Sequence, residues 1–152
     1  MILQASPEHD ELKEIGKKCI TKFHAHHYFG FAKTEWKLFE KEIPHRVKPL
    51  LYIFRVLLTG IYLMQTGEIE ANLVKLNEVF NISYIPDLID RKITGKEKTI
   101  LEAADLDFYR AEYERLVLKL EDAMEKTSLP DNASAKDNLN DLLIRLRLNA
   151  FV

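Results

Sequence analysis

Glycine and proline are scarce in this chain, with 5 of each in 152 residues, and there is one cysteine and one tryptophan. So few turn formers exclude an all-β fold of many short strands. A content of 47% hydrophobic and 30% charged residues excludes a disordered chain. The lone Cys19 excludes both an intramolecular disulfide framework and a cysteine-rich zinc site. Net charge is only −2, so no bulk positive field attracts nucleic acid, and an anion site must be assembled locally from a few cations. The N-terminus, "MILQASPEHDELK", lacks the basic stretch and long apolar run of a signal peptide. The most apolar stretch, Leu50 to Met64, is shorter than the ~20 residues of a membrane crossing and carries Arg55 in its middle. It reads as protein core, and the chain as a cytoplasmic protein with no membrane partner.

What remains is helical periodicity. The length fits a single domain over 1–152, able to bury roughly two-thirds of its unfolded surface. Ser6-Pro7 followed by acids predicts a helix start near Pro7. Residues 21–42 repeat at helical period, with Ala25, Tyr28, Phe29, Ala32, Trp36 and Phe39 on one side, and Pro44 ends that element. A second long helix is expected over 46–66, closed by Gly67. Short ones should follow at 72–80, capped by Asn72, and at 85–93, after a Tyr-Ile-Pro turn. The stretch "DLDFYRAEYERLVLKLEDAMEKTS" forms a strong amphipathic helix, and a final helix, capped by Ser134, carries Leu139, Leu142, Leu143 and Leu146. The expected fold is all-α: a bundle of about four long helices with two or three short ones and no strand.

The helix around "KPLLYIFRVLLTGIYLMQTG" is apolar over most of its circumference. Its polar residues, Lys48, Tyr52, Arg55, Thr59 and Tyr62, recur at fours and threes and at about 100° per residue share one narrow sector. No acid lies between Lys48 and Met64. A solvated face usually mixes both signs. Arginine as a planar fork, lysine as a point charge and tyrosine as a flat face with a hydroxyl instead suit a phosphate.

In "KFHAHHYFGFAK", His24 and His27 lie three apart, close enough on a helix to share a metal or flank a substrate, with Glu35 further along and His26 on another side. No His-Glu-x-x-His or similar ligand spacing accompanies them, so no metal site is assigned. There is no Gly-x-Ser-x-Gly turn, Walker loop or dinucleotide fingerprint. The sole Asp-x-Asp, Asp105-Leu106-Asp107, stands at a helix start, where acids favour the dipole.

The succession "HHYFGFAKTEWKLFEKE", "RVKPLLYIFRVLLTGIYLMQTGEIEANL", "LIDRK" and "SLPDNASAKDNLNDLLIRLRL" resembles the C-terminal helical part of nucleotidyltransferases of the DNA polymerase β superfamily, the group associated with RNA repair. The likeness runs from about Ser6 to Leu148. It implies a preceding α/β catalytic domain with a Gly-Ser turn and an Asp-x-Asp pair, whose carboxylates hold two divalent metals for attack on the α-phosphate of a nucleoside triphosphate. This chain has no Gly-Ser dipeptide, and its one Asp-x-Asp is helical.

The resemblance therefore implies the substrate-side portion of a split or truncated nucleotidyltransferase, with no catalytic residue or metal ligand of its own. Mg2+ would be needed only with a complete catalytic domain. The matching positions are His27, Tyr28, Lys33, Lys48, Tyr52 and Arg55, with Asp141 and Arg145 in the last helix. They would position and neutralise the phosphates of a nucleotide or RNA for metals held by a separate catalytic nucleotidyltransferase chain. The alternatives are a stand-alone helical interaction module, alone or as a homodimer, and a helical nuclease using His24 or His27 with Arg55.

Overall fold

The structure, a computed structural model, describes residues 6–95, 100–101 and 103–149. Among these residues are seven helices, α1 (Pro7–Lys17), α2 (His24–Lys41), α3 (Val47–Thr66), α4 (Leu73–Phe80), α5 (Tyr84–Thr94), α6 (Ala103–Lys126) and α7 (Lys136–Asn149). Among the described residues there is no strand, only an isolated bridge between Arg46 and Ile100. The fold is all-α, as the period of the apolar residues requires. The helices form two compact units, Met1–Lys22 with Leu129–Val152, and Phe23–Ser128.

In the first unit α1 starts as its residues dictate: the Ser6 hydroxyl accepts a hydrogen bond from the His9 amide at 3.3 Å, and Pro7 takes the first helical position. α1 and α7 meet through Ile15, Ala135 and Leu142, with Cys19 and Leu139 packed on them. Ser134 does not open α7. Its amide donates to the Lys18 carbonyl at 3.2 Å, while the Ala135 carbonyl accepts the first bond, from Leu139 at 2.9 Å. The tie to the end of α1 and the burial of Ala135 move the helix start to Lys136.

The second unit is built around α3. Leu50, Ile53, Phe54, Leu57, Leu58, Ile61 and Leu63 are fully buried, mainly against α2 and α6 and further against α4 and α5. At 20 residues α3 has the length and hydropathy of a membrane crossing, yet these apolar residues are covered by its neighbours. At Gly60 a Cβ would lie 2.8 Å from Cγ of Tyr28 and 3.2 Å from Cδ1 of Leu120, so only glycine lets those side chains close over α3. Trp36 of α2 stacks on Tyr113 of α6 at 4.3 Å, and Phe54 sits 5.3 Å from Tyr84 and 6.2 Å from Tyr109. Gly67 ends α3 at φ 75°, in the left-handed region that favours glycine. Asn72 caps α4, its side-chain oxygen accepting from Val74 N at 3.0 Å.

Two boundaries differ from expectation. Tyr84-Ile85-Pro86 is the first turn of α5 rather than a turn before it, because proline is tolerated where amides have no intrahelical acceptor. α6 opens at Ala103, which puts Asp105 inside its first turn, 3.5 Å from Arg91.

Burial, the largest cause in each case, raises the phenols of Tyr28, Tyr84, Tyr109 and Tyr113 above the ordinary tyrosine value. Unfolded tyrosines ionise near pH 10. In the window above that, the unfolded chain has lost protons the folded one still holds, so stability is complete below pH 10 and falls as pH rises. An ultraviolet titration should show these four ionising above the ordinary phenol range while helical circular dichroism persists. Ionisation of all 6 tyrosines near pH 10 with the helices intact would contradict this.

Candidate functional site

The apolar circumference of α3 is interrupted on one side, where Lys48, Tyr52 and Arg55 project over its first turns. The Arg55 guanidinium lies over the Tyr52 ring, 4.6 Å from its centroid. Tyr52 in turn meets Phe31 of α2 edge-on at 5.5 Å, and Phe31 is 6.1 Å from His27. An aromatic ladder thus runs from α2 onto α3 and ends on a cation.

Lys48, Tyr52 and Arg55 border a cleft of about 580 Å³. Pro49, Leu51, Leu73, Ile89 and Ile93 make its apolar wall, and Arg46 and Lys92 bring further cations to the rim. Among the described residues Glu35 is the acid that lines it. Asn72, also at the edge, has its side-chain oxygen committed to the α4 cap. Arg46 is held by Glu42. Among the described residues no carboxylate pairs with Arg55 or Lys92, whereas Arg91, Arg110, Arg115 and Arg145 all have carboxylate partners. The cleft is a slot with an apolar wall and a positive rim, a shape that takes a flat organic group with an anion attached.

The stripe expected along α3 is shorter than its spacing implied. Thr59 shares the sector but is 5% exposed, and Tyr62 is half-buried on the C-terminal half of the helix. Tyr28 is half-buried and packs against Gly60. His24 and His27 are exposed, His27 edge-on to Tyr28 at 5.7 Å. Lys33 lies on another side of α2 from Glu35 and lines a different groove, with His26 and Phe29. Asp141 and Arg145 belong to the first unit, where Arg145 is engaged by Glu11 at 2.5 Å and by Asp141 at 2.9 Å. Sequence reading did not single out Arg46 and Lys92. "RVKP" placed Arg46 within reach of Lys48, but nothing in the spacing joins Lys92 of α5 to α3.

The described residues do not fit the two metals of a polymerase β-type reaction. No group of three or more His, Cys, Asp or Glu side chains among them converges as a ligand set, and Asp105 faces Arg91. No chemical step is therefore routed through a metal on these helices.

Comparison with known proteins bears on what the cleft is for. A family described as "RNA repair pathway DNA polymerase beta family" matches residues 1–145. An uncharacterized protein of Methanocaldococcus jannaschii is 41% identical over 71 residues, which are 47% of this chain and 29% of that protein. The matched segment thus spans less than a third of that relative's length. No solved structure matches the chain.

Proposed function

The chain belongs to the RNA repair pathway DNA polymerase beta family, and from that premise we propose that the α3 cleft is the substrate side of a nucleotidyl-transfer site. It holds the phosphates of a nucleoside triphosphate or of a nucleic-acid end, while the metal-binding carboxylates come from a catalytic segment or chain outside these helices. The observation that carries this reading is that Arg55 and Lys92 border one cleft with no carboxylate partner among the described residues, while Arg91, Arg110, Arg115 and Arg145 are all paired.

Arg55, stacked on Tyr52, presents its donors as a fork, and Lys92 adds a point charge. The apolar wall takes a base or ribose, and Phe31 and His27 offer faces to neighbouring bases of a strand. None of these groups makes or breaks a bond. They orient the reacting phosphate and neutralise charge that would repel an attacking hydroxyl.

Titration of the chain with ATP and with a short single-stranded RNA should show binding to at least one of them at low salt. For the RNA, log affinity should fall with log salt by about 0.7 per phosphate engaged. No binding by either ligand at low salt, or binding indifferent to salt, overturns the reading.

A further inference from the structure

α2 and α6 border a second groove, of about 740 Å³, which shares no residue with the α3 cleft. Phe29, Val117, Leu118 and Met124 supply its apolar surface, and Leu118 is 64% exposed. The charges along its α6 edge are selective. Asp105, Asp107, Glu112 and Asp122 of α6 are all in ion pairs, with Arg91, Arg110, Arg115 and Lys126. Glu114, Glu121 and Glu125 have no such partner among the described residues, and all three line this groove. Spaced by seven and four, they fall on one stripe of α6 with Leu118 among them, so an exposed leucine is set in a row of unneutralised carboxylates.

We propose that this groove docks a basic amphipathic helix of a partner protein. Two packed helices leave a furrow that a third helix fills with its apolar face. The stripe from Glu114 to Glu125 is about 16 Å long at 1.5 Å per residue, three turns of such a helix. The carboxylates would meet lysines or arginines flanking the partner's apolar face. They also repel phosphate, which separates this surface from the cleft and excludes nucleic acid or an anionic membrane as its occupant. Lys33 and His26 on the opposite edge disfavour cations there, so the partner's basic flank is directed toward α6.

The single tryptophan is placed to report on docking, because Trp36 stacks on Tyr113 and Tyr113 lines the groove. The full chain is titrated with a synthetic Leu/Lys amphipathic helical peptide and with its Leu/Glu counterpart. The cationic peptide should change Trp36 emission saturably, and the acidic one should not. Replacing Glu114, Glu121 and Glu125 together by lysine should weaken the cationic peptide at least tenfold and admit the acidic one. Circular dichroism of this variant should match the parent, since all three side chains are exposed. Absence of binding, or equal binding by the triple variant, overturns the proposal. So does sedimentation showing self-association that Leu118→Glu abolishes, which would assign the groove to a second copy of the chain.

Discussion

Phe54→Ala is expected to destabilise the second unit by about 3–5 kcal/mol. The ring is fully buried at the middle of α3 and meets Tyr84 and Tyr109. Its removal forfeits the transfer energy of the ring, the contacts of two aromatic pairs and the packing of the space left behind. That space closes poorly, because Leu50, Ile53, Leu57 and Leu58 stand on a rigid helix already covered by α2 and α6. Against the 5–15 kcal/mol that holds a typical domain together, this is a large fraction. Urea unfolding followed by Trp36 emission, which reports on the same unit, measures it. Phe108→Ala, at a ring 51% exposed, serves as the contrast and should cost less than about 1.5 kcal/mol. Equal losses for the two variants would mean that Phe54 is not the centre of the core.

The second large effect concerns the cleft. Hydrogen bonds to charged groups contribute about 1.5–3 kcal/mol each, so Arg55→Ala with Lys92→Ala should together remove about 3 kcal/mol or more of binding energy. At low salt that is a loss of more than about a hundredfold in affinity for ATP or RNA. The fold should survive, since Lys92 is exposed and the Arg55 contact with Tyr52 is of a kind worth only about 0.5–1 kcal/mol at a surface. Lys33→Ala is the informative control. Lys33 belongs to the other groove, so its loss should leave nucleotide affinity within about twofold, a few tenths of a kcal/mol. Comparable weakening by Lys33→Ala and by the double variant would mean that binding follows general charge and not the cleft.

Much of the helical frame was legible because its causes are local. The Ser6 hydroxyl, the Asn72 side chain and Gly67 each act within a few residues on amides and carbonyls that any helix end leaves exposed. The apolar circumference of α3 likewise required it to be enclosed by other helices, wherever they came from. Where local chemistry permits more than one outcome, the remote chain chose. Pro86 is compatible with a turn or with a first helical turn, and Ser134 could open α7, which instead begins at Lys136 after the buried Ala135, with the Ser134 amide tied to the Lys18 carbonyl.

The candidate site divides in the same way. Lys48, Tyr52 and Arg55 lie on one side of a helix because 3.6 residues make a turn, so sequence alone determined that an acid-free cationic edge exists. Whether an edge reaches solvent depends on what packs against it, and only the tertiary structure decided that Thr59, in the same sector, is buried. The arrival of Lys92 from α5 and Glu35 from α2, and the removal of Lys33 to another groove, were decided there too. The pairing of charge was largely local, since Arg91, Arg115, Lys126 and Arg145 each meet an acid three or four residues away on their own helix. Only the tertiary structure decided that Arg55 and Lys92, without carboxylate partners among the described residues, border one cleft while Glu114, Glu121 and Glu125 line another.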